Sequence, residues 1–130
     1  MPPAHSPEQV NERFAEAFNA RDLPALLALY EADALIVPKP GAQPVAGLDA
    51  IGSNLGGLLE LGGTIDFERV FCLTAGDLTL LSIAYRITGA SGLDGMPTDL
   101  AGTTCELVRR QPDGTWKYVI DHPFAGPARD

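Results

Sequence analysis

The tripeptide Pro112-Asp113-Gly114 constrains this chain more than any other feature, because it separates two strand-like runs, Thr98 to Gln111 and Thr115 to Pro123, and so closes a β-hairpin. Pro112 and Asp113 suit a type I turn, and Gly114 suits the left-handed position that follows it as a bulge. A three-residue loop of this kind sets Gln111 opposite Thr115. Counting back then predicts Arg110 opposite Trp116, Val108 opposite Tyr118, Glu106 opposite Ile120 and Thr104 opposite His122, all on one face. A two-residue Asp113-Gly114 loop would instead set Glu106 against Asp121, two like charges side by side, and would leave Pro112 where the turn wants an amide donor. Turn chemistry favours the first register.

The face carrying Val108, Trp116, Tyr118 and Ile120 has the larger apolar surface and is expected to turn toward the helices. In the favoured register Glu106 and His122 lie diagonally on that face, within hydrogen-bond reach. Desolvation raises the pKa of a carboxyl in an apolar cavity, and a neighbouring imidazolium lowers it again. Glu106 and His122 are therefore the candidate acid and base, able to pass a proton near neutral pH. The plainer reading is a structural Glu-His hydrogen bond that holds the sheet.

Upstream the periodicity is helical. Ser6 is placed to cap a helix that begins at Pro7 and runs to about Asn19, with Gln9 completing a capping box and Val10, Phe14, Ala17 and Phe18 on one buried face. Asp22 caps a shorter helix with an apolar stripe of Leu23, Leu26, Leu27 and Tyr30. A short strand is expected over Asp33 to Val37, a loop over Pro38 to Pro44, and a third helix from Leu48 to Glu60. Gly52, Gly56 and Gly57 each cost that helix about 1 kcal/mol relative to alanine. They imply either close packing on the sheet or a mobile lid over a cavity.

The second half is strand after strand: Thr64 to Thr74, Leu78 to Thr88, Thr98 to Gln111 and Thr115 to Pro123, with Gly89 to Pro97 as a flexible rim. Helices followed by a meander predict an α+β fold, with the helices gathered on one face of a curved, mostly antiparallel sheet. A loop of Ala75-Gly76-Asp77 would pair Asp66 with Arg86, and on the other face Ile65 with Ile87, Phe67 with Tyr85 and Phe71 with Leu81. Arg69 shares that apolar face, either snorkelling to a cavity rim or serving as counter-charge to Glu106 or to an anionic ligand. The candidate ligand-binding set is Phe14, Tyr30, Phe67, Arg69, Tyr85, Thr104 and Tyr118.

At 130 residues the chain is one domain, expected to span 1–130 with 1–6 and 125–130 flexible. Its net charge of −8, with no basic cluster beyond Arg109-Arg110, disfavours nucleic acid and anionic membranes as partners. No apolar run is long enough for a membrane helix, and the N-terminus lacks a signal-peptide pattern, so a cytoplasmic location is expected. Cys72 and Cys105 match no metal spacing and read as reduced thiols. No metal site or cofactor is expected, because the nucleotide-loop, zinc-helix and nucleophile-elbow motifs are all missing from the sequence.

Phe18-Asn19-Ala20-Arg21-Asp22-Leu23, Tyr30-Glu31-Ala32-Asp33-Ala34, Gly47-Leu48-Asp49-Ala50-Ile51 and Asp113-Gly114-Thr115-Trp116-Lys117, in this order and spacing, resemble the nuclear transport factor 2-like superfamily. That superfamily includes ketosteroid isomerases and SnoaL-like polyketide cyclases, and the resemblance covers about residues 8 to 124. It implies a cone, a bent sheet wrapping a long helix around an apolar pocket, and a homodimer formed through the sheets. It does not imply ketosteroid isomerase activity: the position of the family's catalytic aspartate falls at Pro38, and that of its helix-borne tyrosine falls at Phe14. Only the third acid has a counterpart, near Glu106. The expected function is binding of a small apolar or amphipathic molecule; the alternative is an isomerase-, dehydratase- or cyclase-like enzyme that uses Glu106 and His122.

Overall fold

The computed structural model describes residues 2–92 and 95–126. Helix α1 (Pro7–Asn19) starts where Ser6 Oγ accepts the amide proton of Gln9, with proline at the first turn. The Gln9 side chain accepts from the amide of His5 rather than that of Ser6. Val10, Asn11, Ala17 and Phe18 are buried, so one polar side chain lies within the apolar stripe. Helix α2 (Leu23–Leu27) is capped by Asp22, whose carboxylate accepts from the Ala25 amide at 3.1 Å.

Strand β1 (Tyr30–Ile36) begins three residues before the predicted start, directly after α2, and pairs with a short β2 (Val45–Ala46). Helix α3 (Leu48–Glu60) has the predicted bounds. Two of its glycines serve close packing, but against α2 and not the sheet: a Cβ at Gly52 would lie 3.5 Å from Leu27, and one at Gly56 would lie 3.7 Å from Leu23. A Cβ at Gly57 would meet nothing within 4 Å.

The remaining strands are β3 (Gly62–Ala75), β4 (Leu78–Ser91), β5 (Pro97–Thr103), β6 (Cys105–Arg110) and β7 (Trp116–His122). They form one sheet in the order β2-β1-β7-β6-β4-β3, with β5 also pairing β4. All pairings are antiparallel except β1 with β7. The single strand expected over Thr98 to Gln111 is broken at Thr104, and β4 is long enough to pair with both pieces, β6 at its start and β5 at its end. That break and register shifts in four of the six strand pairings accompany the bend of the sheet around α1, giving the α+β architecture with a curved, mostly antiparallel sheet.

The bulges correct two predicted registers. At the β6-β7 turn the prediction holds, with Gly114 at φ 85°, Arg110 opposite Trp116 and Val108 opposite Tyr118. Val119 is then extra, so Leu107 faces Ile120, Glu106 faces Asp121 and Cys105 faces His122. The predicted pairs Glu106–Ile120 and Thr104–His122 do not form. In the β3-β4 hairpin Ala75 pairs with Leu78, so the turn is the two residues Gly76 and Asp77, and Val70 is the extra residue. Asp66–Arg86, Phe67–Tyr85 and Ile65–Ile87 pair as predicted, whereas Leu81 faces Cys72 and not Phe71.

The ends are tied down where they are described. Ala4 is buried and its carbonyl accepts from the Trp116 amide at 2.9 Å, which joins the segment before α1 to the sheet. Gly126 N–H donates to the Thr103 carbonyl at 2.9 Å. Of the predicted rim, Gly89 to Ser91 belong to β4, and residues 93–94 lie outside the described set, as do 1 and 127–130 of the predicted flexible ends.

Candidate functional site

Between α1, α3 and the concave face of the sheet lies a cavity of about 730 Å³. Its wall is mostly apolar, with Phe14 from α1, Leu55 and Leu58 from α3, and Ile65, Ile83 and Ile87 from the sheet. The polar groups on it are few: Ser53, Asn54, Tyr85, Thr104, Glu106, Tyr118 and Asp121. Among the described residues no lysine, arginine or histidine lines it. An apolar chamber with a small convergent polar set is the form a small-molecule site takes.

Two carboxyls stand side by side at that polar patch. Glu106 on β6 and Asp121 on β7 are direct cross-strand partners, with exposures of only 2% and 6%. Glu106 Oε1 accepts from Thr104 Oγ1 at 2.7 Å and from Asn11 Nδ2 at 3.3 Å. Glu106 Oε2 is buried and has no hydrogen-bond partner among the described residues. Asp121 Oδ2 accepts from the Tyr30 hydroxyl at 2.6 Å.

These environments separate the two acids. Burial, and then the charge of Asp121, push the Glu106 carboxyl up to about 8, against smaller opposing effects from Thr104, Arg69 and Asn11. Burial also raises Asp121, to about 6, while the Tyr30 hydrogen bond favours its anion. Asp121 therefore ionises first, and its charge keeps the proton on Glu106; the two steps belong to the pair. Near neutral pH the site holds one neutral carboxylic acid and one carboxylate.

Asn11 and Arg69 complete the polar network behind the cavity wall. Asn11 is 1% exposed, and its Nδ2 donates both to Glu106 and, at 3.0 Å, to the Tyr118 hydroxyl. Arg69, half-buried on β3, donates from Nη1 to Asn11 Oδ1 at 2.5 Å and from Nη2 to the Glu8 carbonyl at 3.2 Å. Burial, with the charge of Glu106 next, raises the Tyr118 hydroxyl well above its ordinary value, so it remains protonated.

The structure brings Glu106, Phe14, Tyr85, Thr104 and Tyr118 of the predicted set to the cavity. It does not bring His122 to Glu106. Strand alternation places His122, opposite Cys105, on the other face, where its Nδ1 accepts from the Phe124 amide at 3.4 Å. The predicted Glu106-His122 pair is thus replaced by Glu106 and Asp121, because one bulged residue inverts every side chain beyond it. Tyr30 lies behind the wall as the donor to Asp121, its ring 4.8 Å from that of Tyr118. Phe67 sits under the Arg69 guanidinium, at 5.7 Å, and lines a shallower depression with Tyr85. By hydrogen bond Arg69 is joined to Glu106 through Asn11, not directly. Pro38 and Phe14 are in the wall, so the positions where the family carries an aspartate and a tyrosine offer neither a carboxylate nor a hydroxyl here.

Sequence reasoning missed Asp121 and Asn11. Asn11 stands three residues before Phe14 in the buried stripe of α1, a legible signal of a buried polar group needing partners. Asp121 appeared only in the rejected register, and nothing in the sequence marks Val119 as a bulge. Among the described residues no group of three or more His, Cys, Asp or Glu side chains is arranged to hold a metal ion. No helix among them is long and apolar enough to cross a membrane.

A bent, mostly antiparallel sheet wrapped around a helix defines a cone-shaped α+β fold. Residues 11–127 match the SnoaL-like domain model, and the chain belongs to that family. Solved structures share the fold. A ketosteroid isomerase-like protein from Erwinia carotovora atroseptica superposes with a TM-score of 0.79 at 23% identity, over 92% of this chain and 94% of the other. An NTF2-like superfamily protein from Salmonella enterica gives 0.75 at 16% identity, over 93% and 88%. An NTF2-like family protein from Streptomyces avermitilis, described as a proposed dehydratase, gives 0.69 at 19% identity, over 92% and 94%. At these identities the likeness is one of fold. No curated protein matches the chain.

Proposed function

We propose that the protein binds a small, largely apolar carbonyl compound in its cavity and transfers a proton on it, with Asp121 as base and Glu106 as acid. The carrying observation is the pairing of two desolvated carboxyls whose environments push their proton affinities apart, which is how one site comes to hold an acid and a base at the same pH. A carbon acid beside a carbonyl is the substrate class this suits. Asp121 takes the α-proton, negative charge develops on the carbonyl oxygen, and neutral Glu106 donates to that oxygen. The superfamily that the sequence resembles includes ketosteroid isomerases and polyketide cyclases, and one neighbour of the same fold is described as a proposed dehydratase. The absence of basic side chains from the described wall disfavours carboxylate or phosphate ligands.

Deuterium uptake from heavy water into the position beside the carbonyl of 1-tetralone tests this. Uptake above the buffer rate, falling about 100-fold in both Glu106→Gln and Asp121→Asn, is the expected result. Thermal stabilisation by the ketone without uptake would leave a binding protein and remove the catalytic reading. Neither stabilisation nor uptake would remove both.

We also propose that two copies associate through the outer face of the sheet. Leu73, Leu80, Leu107, Ile120 and Leu35 are successive cross-strand partners across β3, β4, β6, β7 and β1, forming one apolar row. Leu73, Leu80 and Ile120 are 61%, 37% and 39% exposed, which leaves a stripe that a second copy would cover.

A further inference from the structure

We propose that Asn54, with Ser53 beside it on α3, is a specificity-determining residue that receives a hydroxyl group of the ligand at the open end of the cavity. This rests on the reading of the cavity as the site of a largely apolar carbonyl compound. It narrows that class to compounds that carry a hydroxyl toward the mouth as well as a carbonyl toward the buried end.

The polar groups of the cavity fall at two depths. Thr104, Glu106, Tyr118 and Asp121 are buried, whereas the lining residues Pro40, Ser53, Gly57 and Ala101 are exposed and so mark the mouth. Asn54, half-buried, stands next to Ser53. Apart from Tyr85, the other side chains of the described wall are apolar, so a ligand that reaches from the acids to the mouth meets hydrogen-bonding groups at both ends.

Asn54 stands within the apolar stripe of α3, among Ile51, Leu55 and Leu58 at helical spacing. Asparagine is a poor helix former, so its place there needs another reason. Half of that reason is its nitrogen: Nδ2 donates to the Pro38 carbonyl at 3.2 Å, tying α3 to the segment after β1. A carbonyl only accepts, so the amide is fixed with Nδ2 toward Pro38, and Oδ1 is left as an acceptor. Oδ1 accepts from no described residue. The buried side-chain atoms without a partner are Arg13 Nε and Glu106 Oε2, so Oδ1 of Asn54 is open.

An open acceptor beside a serine selects a hydroxyl. The ligand hydroxyl donates to Oδ1 and accepts from Ser53 in return, whereas an ether or a second ketone offers Oδ1 nothing. The carboxyls on the described wall are both at the buried end, so an ammonium group would find no counter-charge at the mouth. Water reaches the mouth, so the gain is that of one exchanged hydrogen bond, about 10-fold in affinity.

Calorimetric titration at neutral pH with 7-hydroxy-1-tetralone, 7-methoxy-1-tetralone and 1-tetralone reads this without turnover. The hydroxyl compound is expected to bind the wild-type protein about 10-fold tighter than the other two. Asn54→Leu should erase that preference and leave 1-tetralone within about twofold of its wild-type affinity. A crystal of the wild-type complex should place the ligand hydroxyl about 2.7 Å from Asn54 Oδ1. Equal wild-type affinities for the three compounds, or a hydroxyl turned toward Glu106 and Asp121, overturn the proposal. So does an Asn54→Leu variant that weakens all three alike, since that leaves Asn54 as a tie to Pro38 and nothing more. A hydroxyl preference without deuterium uptake removes the proton-transfer reading and keeps the hydroxyl site; no binding by any of the three removes both.

Discussion

Glu106 and Asp121 face each other across β6 and β7 because Val119 stands out of the ladder between them and the turn. Were Val119 in the ladder, the register begun at Pro112-Asp113-Gly114 would carry Ile120 to Glu106 and turn Asp121 outward. A like-charged cross-strand pair is unfavourable on an exposed sheet. In a water-poor chamber it is tolerated because one member keeps its proton.

The first consequence is an unusual dependence of stability on pH. Both carboxyls hold protons more tightly in the folded chain than in the unfolded one, since Glu106 is raised from 4.5 to about 8 and Asp121 from 3.8 to about 6. Over that range the native state binds more protons, so stability falls as pH rises. The pair's contribution is complete below about pH 4 and declines through about 6 and then about 8. Each tenfold difference in proton affinity between the folded and unfolded chain is worth about 1.4 kcal/mol, so the two shifts together amount to about 8 kcal/mol at most. Thermal melts from pH 4 to 9 should show Glu106→Gln losing less stability than wild type over this interval; equal slopes would contradict the assignment.

Tyr30 supports the ionised member of the pair. Removing its hydroxyl in Tyr30→Phe deletes the 2.6 Å bond to Asp121 Oδ2 and raises the Asp121 midpoint further. A bond to a charged group is worth about 1.5–3 kcal/mol, and chemical denaturation above pH 7 should show a loss of that order. The loss should shrink at pH 4, where Asp121 is protonated.

Gly57 separates cavity volume from stability. Its added Cβ would meet nothing within 4 Å, and the residue lines the chamber. Gly57→Ala should stabilise the protein by about 1 kcal/mol through helix propensity. Gly57→Phe should keep the fold and abolish stabilisation by 1-tetralone. Undiminished ketone binding in the phenylalanine variant would put the ligand elsewhere.

The helices, the meander and most strand pairs were legible in the sequence because they rest on local signals: Ser6 and Asp22 as caps, the apolar stripe of α1, and glycine at the turn position of Gly114. The site was legible only in part, since Glu106, Thr104 and Tyr118 were found while Asp121 was passed over. Bulges at Val70 and Val119 answer to the curvature of the whole sheet, and neither valine differs from its neighbours in propensity. A shift of one residue exchanges the faces, so a small local omission moved His122 into the predicted site and Asp121 out of it.

The apolar row on the outer sheet face predicts the oligomeric state. Sedimentation at micromolar concentration should give twice the monomer mass of 13.7 kDa, and Leu80→Arg combined with Ile120→Arg should return the monomer. A wild-type mass of 13.7 kDa would remove the sheet-to-sheet dimer.

Carbon-13 NMR of the side-chain carboxyls, followed from pH 3 to 10, reads the acid pair itself. Two resonances should titrate far above the others, with midpoints of about 6 for Asp121 and about 8 for Glu106. Asp121→Asn should bring the Glu106 midpoint down by removing the neighbouring charge. Ordinary midpoints of about 4 for both groups, or a Glu106 midpoint indifferent to Asp121→Asn, would contradict a shared, desolvated acid pair.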